Sequence, residues 1–415
     1  MRICIHRGSK QIGGSCIEVE YAGKRIILDM GLPLDAEVND KKYLPHIHGL
    51  DGSDGSLLAI LVSHPHLDHF GLLAYVSNRI PVIMGADAHR ILEQASLFLP
   101  GNWPVLAKGL DLRSGTAIKV GPFKITPFLM DHSAYDAYSF LIEAGGKKLF
   151  YSGDFRMHGR KSGPVERLIS NPPPGIDILL LEGSSLSRSE NAGDFPNESD
   201  IEKELINVFQ ETNGLAMVHA SSQNIDRIVS VFRACKQTGR RLVIDLYTAV
   251  ILEATGNKKL PQSNWPEIAL FIPQSQRVQI KNNRWFDLLK RHSKNRIFIE
   301  RLHEIAARSA LLFRPLHIRD LERADCLHGA VYVYSQWEGY WEKDSFSHLR
   351  DWLKKHAILK INIHTSGHAS PADLKRFATV LKPSKVVPIH TFTPERYSEL
   401  FENVDFHNDG EWWAV

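Results

Sequence analysis

The sequence predicts an α/β protein of more than one domain, in which sheets are covered by helices. The first half of the chain contains short strand patterns separated by Gly- and Asp-rich turns, at residues 16–21, 25–29 and 57–62. Helical patterns are interleaved with the strands of this half, as at residues 71–76. The chain has 415 residues, which is too long for one ordinary core and indicates two or three domains. Mixed elements of this kind pack as layers of sheet and helix.

The remaining elements follow in chain order. The apolar run at residues 57–62 is typical of a strand buried on both faces, and residues 179–182 form another buried strand. A mostly polar stretch continues from there to Ser199. Strand and helix then alternate in an α/β unit that closes near Tyr340; its first elements are a strand at 215–219, a helix at 223–235 and a strand at 241–245. Two later strands, at 361–364 and 386–390, each end in histidine.

Composition places the chain among globular proteins. Apolar residues make up 43% and charged residues 23%, which excludes a disordered or fibrous chain. No run of eighteen apolar residues occurs, so no membrane partner is expected. The chain enters a strand pattern at Met1 without a leader-like segment, which favours a cytoplasmic location. Its four cysteines are scattered singly and are expected to be buried, reduced thiols; they are Cys4, Cys16, Cys235 and Cys326.

The net charge of +3 is close to neutral, but its distribution is uneven. Eight Lys and Arg residues lie between Arg277 and Arg301, against the acidic residues Asp287 and Glu300. Such a segment can attract phosphates through release of counterions. It can equally be a solvated helix face, and the sequence does not separate these two interpretations.

A cluster of metal-ligand residue types directly follows the strand at 57–62. His64 and His66 are two residues apart in an extended stretch, so their side chains point the same way and can bind one ion together. Asp68 and His69 come where a helix begins and can turn toward a second ion. Nitrogen and carboxylate ligands suit Zn²⁺ and can also hold Mn²⁺. Four such residues within six positions predict a metal site and are hard to explain by packing.

Further candidate ligands lie where the chain leaves other strands. They are His132, Asp154 and His390. Asp154 follows Gly153, which allows close approach of the backbone, and a carboxylate there could bridge two ions. Each of these residues taken alone would more often be structural than functional.

At this point the sequence resembles a known family. The motif of His64, His66, Asp68 and His69, followed by His132 and Asp154, resembles the metallo-β-lactamase superfamily, and Asp29 matches the supporting aspartate that precedes these motifs. Three later segments resemble the motifs of the β-CASP branch: Glu182 in Leu-Glu-Gly-Ser, His368 in His-Thr-Ser-Gly-His, and His390 in Pro-Ile-His. The resemblance covers essentially the whole chain, and it is strongest to ribonuclease J and the 3′-end-processing endonucleases.

The resemblance implies an αββα metallo-β-lactamase sandwich interrupted by an inserted α/β β-CASP domain. Residues 1–195 and 346–415 would form the two parts of the sandwich, and residues 196–345 the insert. It also implies two divalent ions, one held by His64, His66 and His132 and the other by Asp68, His69 and His390, with Asp154 bridging. A histidine at the third motif marks the RNA-acting members, whereas Artemis-type DNA nucleases usually carry an aliphatic residue there. Single-stranded RNA is therefore the expected substrate.

Two features depart from the ribonuclease J pattern. The chain stops at Val415, so the C-terminal domain that is often linked to dimerisation is expected to be absent. Thr391, Phe392 and Thr393 replace the Gly-Glu that follows the motif histidine in ribonuclease J. Oligomeric state, monomer or homodimer, and the mode of RNA attack therefore stay open.

Phosphodiester hydrolysis by metal-activated water also needs a proton for the departing oxygen. We expect His368 to be the acid that supplies this proton, and Glu182 to be the carboxylate that orients His368 and keeps it protonated. Asp68 is the third expected catalytic residue. Glu182 could instead simply cap a turn. Phosphate contacts are expected from His364, Ser366 and Gly367, and from Ser221 and Ser222 at a helix start, although a plain turn and ordinary helix capping explain these residues too.

Three other functions compete with this hypothesis. One is a DNA nuclease of the same branch, which a strong preference for DNA would reveal. Another is a small-molecule hydrolase of thioesters or lactones, although an insert of roughly 150 residues is much larger than a substrate lid. The last is an inactive RNA-binding scaffold, which metal-free protein with full RNA affinity would indicate.

Overall fold

The computed structural model describes residues 1–36, 38–99, 101, 103–104, 110–187 and 195–415. The chain divides into two compact units. Unit 1 comprises Met1–Phe195 and Gly367–Val415, and unit 2 comprises Pro196–Ser366. Among the described residues, no helix is both long and apolar enough to cross a bilayer. All four cysteines are buried and unpaired, as expected.

Unit 1 contains two sheets. The first has the strand order β19-β1-β2-β3-β4-β5, with antiparallel pairing from β19 to β3 and parallel pairing from β3 to β5. Its strands are β1 Arg2–Arg7, β2 Cys16–Tyr21, β3 Lys24–Leu28, β4 Leu57–Leu61, β5 Val82–Ile83 and β19 Trp412–Ala414. The second has the order β18-β10-β9-β8-β7-β6 and is parallel from β18 to β9. Its strands are β6 Ile118–Val120, β7 Phe123–Met130, β8 Ala137–Ala144, β9 Lys147–Tyr151, β10 Ile178–Glu182 and β18 Lys385–Ile389.

The apolar residues of these sheets separate onto two faces, because side chains alternate along a strand. Ile3 and Ile5 of the first sheet share one core with Phe140 and Leu180 of the second. The outer face of the first sheet packs on α1 and α2, and that of the second on α3 and α13. The helices of unit 1 are α1 Leu67–Phe70, α2 Ala86–Ser96, α3 Ser162–Ser170, α13 Pro371–Leu381 and α14 Tyr397–Leu400. These layers confirm the predicted αββα sandwich.

Unit 2 contains a parallel sheet of order β14-β13-β12-β15-β11-β16-β17. Its strands are β11 Ala216–His219, β12 Arg241–Ile244, β13 Ile268–Phe271, β14 Arg296–Ile297, β15 Ser309–Leu312, β16 Val331–Tyr334 and β17 Leu359–Asn362. Its helices are α4 Glu198–Glu211, α5 Ile225–Thr238, α6 Leu246–Ala254, α7 Gln274–Asn283, α8 Phe286–His292, α9 Ile299–Ile305, α10 Ile318–Arg323, α11 Glu338–Trp341 and α12 Ser347–Lys355. This alternation agrees with the α/β pattern predicted from Asp200 onward.

The end of unit 2 differs from the limit at residue 345 expected from the sequence. Residues 346–366 belong to unit 2, because β17 pairs in parallel with β16 and because Leu349, Trp352 and Leu353 of α12 pack in the core of that unit. The helix expected at residues 71–76 is also different. Here the chain forms α1 just before this range and a 3₁₀ turn at Leu73–Tyr75.

Candidate metal centre

The His64–His69 segment is held at the carboxyl end of β4. Val62 and Ser63 continue the buried backbone of this strand, and His66 is the extended residue directly before α1. The backbone of Asp68 and His69 is bound to neighbouring loops, since Ser15 N donates to Asp68 O at 3.1 Å and Met30 N donates to His69 O at 2.8 Å. Gly31 is required for this approach, because a Cβ at that position would lie 1.8 Å from Asp68 O.

Three imidazoles form the first cluster. One ring nitrogen from each of His64, His66 and His132 lies within 4.8 Å of the others. His132 Nε2 and His66 Nδ1 face each other at 3.2 Å. The two rings come from segments 66 residues apart, which the turn after β4 and the end of β7 bring together. Three nitrogen donors at this spacing can hold one divalent ion.

The second cluster combines two histidines and two carboxylates, namely Asp68, His69, Asp154 and His390. Asp154 Oδ2 lies 3.1 Å from His69 Nε2 and 3.5 Å from His390 Nε2. The same oxygen lies 3.7 Å from His64 Nε2 in the first cluster. The structure therefore brings the sequence-predicted ligands together, with Asp154 between the two groups.

Several polar atoms of these clusters are buried without a hydrogen-bond partner in the described part of the chain. They include His64 Nε2, His390 Nε2 and Asp154 Oδ1. Buried polar atoms nearly always have a partner, so orphaned atoms that converge on one place need an explanation. Imidazole nitrogens and carboxylate oxygens are the donors that Zn²⁺ prefers and that Mn²⁺ accepts. The donor set thus fits divalent metal ions.

Burial sets the protonation of these histidines. It lowers the pKa of His64 and His132 well below the usual range, helped by neighbouring imidazoles, and it lowers the pKa of His66 to about 4. Burial also lowers the pKa of His390. For His69 burial acts in the same direction, but the carboxylates of Asp154 and Asp29 outweigh it and raise the pKa. Most of these imidazoles are therefore neutral at pH 7, the state in which a histidine can bind a metal ion.

This charge state predicts that metal-free protein is less stable at pH 5 than at pH 7. In the unfolded chain each histidine takes up a proton near its ordinary pKa of about 6.5, whereas the four residues with lowered pKa resist protonation in the fold. Unfolding then binds protons, so stability rises with pH in this window. His69 has the opposite sign, because its raised pKa stabilises the fold below about 6.5. Four histidines destabilise the fold at pH 5 and only His69 stabilises it. We therefore expect chelator-treated protein to unfold at a lower urea concentration at pH 5 than at pH 7.

Buried histidines of unit 2, such as His219 with its pKa lowered to about 4, add to this effect. A His66→Gln variant isolates the contribution of the cluster and should show a smaller difference between the two midpoints. A His46→Gln variant, at an exposed position, is the matched control and should keep the full difference. A higher midpoint at pH 5 than at pH 7 would contradict the assigned charge states.

Asp29 orients His69 of the second cluster. His69 Nδ1 donates to Asp29 Oδ2 at 2.7 Å, which fixes the tautomer that leaves Nε2 for a metal ion. Asp29 also accepts from Ser63 N at 2.6 Å, from Ser63 Oγ at 2.8 Å and from Tyr151 OH. Its backbone is in the left-handed region at φ +60°, which aspartate and asparagine tolerate better than most residues.

The Asp29→Asn variant should therefore keep the backbone and weaken the support. An amide offers one acceptor oxygen where the carboxylate offers two, and its NH₂ group opposes donors that now bind Asp29. We expect metal affinity to fall by about 10- to 100-fold, as for other residues that orient a metal ligand. Competition with a metal-binding dye measures this change. Unchanged affinity in a folded Asp29→Asn variant would show that the His69 tautomer is set by another group.

Glu182 and His368 form a third group next to Asp154. Glu182 is fully buried at the end of β10, and its oxygens accept from Phe155 N at 3.3 Å and Ser184 N at 3.2 Å. His368 Nδ1 lies 3.2 Å from Glu182 Oε2 and 3.7 Å from Asp154 Oδ2. The His368 side chain is 20% exposed, so the ring can reach both the buried carboxylates and solvent. The contact between Glu182 and His368 agrees with the pairing expected from the sequence.

The predicted substrate-binding residues lie in two parts of the chain, before His368 and at the start of α5. Gly367 packs on the segment after β7, where a Cβ would lie 2.8 Å from Ser133 Oγ. His364 and Ser366 follow β17 at the end of unit 2. Ser222 Oγ is buried and lies 2.9 Å from Thr248 Oγ1, and Ser221 Oγ accepts from Gln223 N. The N-cap of α5 is Asn224, which accepts from Arg227 N at 3.1 Å. Phosphate binding by these residues stays a prediction.

Three residues of the site were not predicted from the sequence. Ser63 and Tyr151 bind Asp29, and Ser15 Oγ lies 2.9 Å from His390 Nδ1. Tyr151 carries one usable signal, because it is the last residue of β9 and stands three positions before Asp154. Ser15 has no such signal, since it lies 375 residues from His390.

Comparison with known proteins identifies the class of this fold and site. A family model described as "Beta-lactamase superfamily domain" matches residues 40–245. The αββα sandwich and the histidine and aspartate clusters agree with that match, and the chain belongs to the metallo-β-lactamase superfamily.

Within that class, its curated relatives include ribonuclease J proteins. Ribonuclease J of Mycobacterium tuberculosis is 22% identical over 252 residues, which cover 58% of this chain and 44% of the relative. Ribonuclease J of Mycolicibacterium smegmatis is 21% identical over 408 residues, which cover 94% of this chain and 68% of the relative. The matched part is thus about half the length of several of these relatives. A crystal structure of a protein of unknown function from Enterococcus faecalis has a TM-score of 0.79 at 21% identity, covering 100% of this chain and 99% of the other. That likeness supports the fold.

Proposed function

We propose that this protein is a metal-dependent ribonuclease of the β-CASP branch that hydrolyses phosphodiester bonds in single-stranded RNA. One observation carries the proposal: buried, partnerless imidazole and carboxylate atoms converge around Asp154. Its similarity to ribonuclease J supports RNA as the substrate class. The four buried, unpaired cysteines suit a reducing compartment, and we therefore place the activity in the cytoplasm.

The proposed metal ligands fall into two sets that share Asp154. One ion would be held by His64, His66 and His132, and the other by Asp68, His69 and His390. We propose Zn²⁺, with Mn²⁺ as the alternative that the same donors accept. When bound, such ions would make water nucleophilic near neutral pH and would offset negative charge on a phosphate oxygen.

The chain's own residues supply the remaining steps. We assign His368 as the acid that protonates the departing oxygen, with Nδ1 held by Glu182 so that the opposite edge of the ring can face the substrate. Asp68 is 17% exposed and lies 3.8 Å from both His69 and His390, so it can bind metal and contact the reacting groups. His364, Ser366, Gly367, Ser221 and Ser222 are proposed to bind RNA phosphates.

The test uses end-labelled RNA carrying either a 5′ monophosphate or a 5′ hydroxyl, incubated with Zn²⁺ or Mn²⁺. We expect metal-dependent cleavage that a chelator abolishes and that re-added metal restores. Mononucleotide release from one end would indicate an exonuclease, and internal fragments an endonuclease. Matched single-stranded DNA and a thioester serve as competing substrates. Faster hydrolysis of either one would overturn the assignment to RNA.

A further inference from the structure

The surface around α7 and α8 carries cations that the candidate metal centre does not use. Lys281, Arg284, Lys290 and Lys294 are all exposed. Over the described ranges of the chain, none of these four forms an ion pair. Asp287 is the one acidic residue in the sequence from position 274 to 298. The positive charge of this surface is therefore largely uncompensated.

Two neighbouring arginines of the same region differ from these four cations, because they form ion pairs. Arg277 is paired with Asp320 at 3.0 Å, and Arg291 with Glu253 at 2.9 Å. Burial and then the charge of Arg277 lower the pKa of Arg296. Like charges on one surface destabilise a fold unless a counter-charge is present. A polyanion would supply the counter-charge that Lys281, Arg284, Lys290 and Lys294 lack in the described part of the chain.

The cations extend onto an adjacent loop. His292 at the end of α8 lies with Nδ1 2.9 Å from Ser263 Oγ, and Asn295 Nδ2 donates to Trp265 O at 2.7 Å. These bonds attach the end of α8 to the loop between α6 and β13, which carries the exposed Lys258 and Lys259. We call this set the basic surface; it consists of Lys258, Lys259, Lys281, Arg284, Lys290 and Lys294.

Two exposed aromatic rings belong to the same stretch of sequence as the cations of α7 and α8. Phe286 and Phe298 are each 58% exposed, and the Arg296 guanidinium lies 4.8 Å over the Phe298 ring. Cations interleaved with exposed aromatic rings are typical of surfaces that bind single-stranded nucleic acid, because bases stack on the rings while phosphates contact the cations. An amphipathic membrane-binding helix carries a continuous apolar face. The exposed positions of α7 are Gln274, Ser275, Val278, Lys281, Asn282 and Asn283, of which Val278 alone is apolar, so an anionic membrane is a poorer match.

We propose that the basic surface is an accessory binding site for single-stranded RNA, with phosphates on its cations and bases on Phe286 and Phe298. The proposal rests on the ribonuclease function proposed above. It adds a second RNA contact, located in unit 2 and separate in sequence from the metal ligands. Its consequence is that affinity for RNA depends on residues that play no part in hydrolysis.

The test measures binding of a fluorescent, unstructured RNA of about 30 nucleotides, a length that spans several binding footprints. All proteins carry His368→Ala, which slows cleavage of the RNA during the measurement. The test variant replaces Lys281, Arg284, Lys290 and Lys294 with Gln. We expect its Kd to rise about tenfold at moderate salt, and the slope of log K against log salt to become shallower by up to about 3, since each lost phosphate contact removes about 0.7.

The matched control replaces four exposed lysines of unit 1 with Gln, namely Lys24, Lys119, Lys375 and Lys385, and should bind as the parent does. A Phe286→Ala variant should weaken binding without changing the salt slope, because stacking releases no counterions. Thermal unfolding checks that each variant is folded. An unchanged Kd and slope in the test variant would overturn the accessory site. So would binding to anionic vesicles that exceeds binding to RNA and is lost in the same variant.

The two proposals fail in different ways. A protein that cleaves RNA but binds it equally well with and without the four cations contradicts the basic surface alone. A protein whose RNA affinity falls with these substitutions, but which never cleaves RNA with any metal, contradicts the ribonuclease assignment and keeps the binding surface.

Discussion

The Asp154→Asn variant is expected to lose bound divalent metal and to hydrolyse RNA more than about 1000-fold more slowly than the wild type. Asp154 Oδ2 lies within 3.7 Å of a ring nitrogen of each of four histidines, namely His64, His69, His390 and His368. Burial alone would raise the pKa of its carboxyl, but the charge of His69, whose own pKa is raised, helps to hold it well below the usual range, so the group is charged at pH 7. An amide of the same shape removes that charge from the middle of both clusters.

The size of this effect follows from the number of interactions that share one carboxylate. Losing a single preorganised donor typically costs about 100- to 1000-fold in rate, and Asp154→Asn affects both proposed metal sites. Metal content by mass spectrometry and single-turnover cleavage measure the two consequences separately. Asp111→Asn, at an exposed position in the same unit, is the matched control and should change neither. Full metal content together with normal cleavage in Asp154→Asn would remove the basis for a shared metal centre.

Local motifs explain why much of the candidate site could be predicted. His64, His66, Asp68 and His69 lie within six positions after a buried strand, so strand alternation and the start of α1 already place them together. His132, Asp154 and His390 were predicted from their positions at strand ends and from family resemblance. In the structure, Asp154 and His390 follow β9 and β18, which both pair with β10.

Other features depend on tertiary contacts that no local pattern encodes. The hydrogen bonds of Asp29 with Tyr151 and Ser63 join segments 122 and 34 residues apart. Because β17 pairs with β16, unit 2 extends to Ser366. The alternation of strand and helix patterns in the sequence ends earlier, near Tyr340. A strand at the edge of a parallel sheet can be assigned to a unit only when its partner is known, which is why the expected limit at 345 was early.

The His368→Ala variant should separate metal binding from proton transfer. His368 contacts Glu182 and Asp154 but is not needed to complete either metal-ligand cluster, so metal content should stay at the wild-type level. Cleavage of RNA should fall by about 100- to 10,000-fold, the usual contribution of a general acid. The outcome would be different for a metal ligand, because both quantities would then fall together.

The choice of leaving group decides whether His368 donates a proton. A nitrophenolate leaves without protonation, whereas the ribose oxygen of RNA does not, so His368→Ala should lose little activity on a nitrophenyl phosphodiester. The exposed His46→Ala variant is the control for loss of an imidazole in unit 1 and should keep both activities. Equal losses on RNA and on the nitrophenyl ester would mean that His368 positions the substrate or a metal ion. Glu182→Gln should reproduce the selective loss on RNA in weaker form, because the amide still contacts His368 Nδ1 but no longer carries the charge that favours its protonated state.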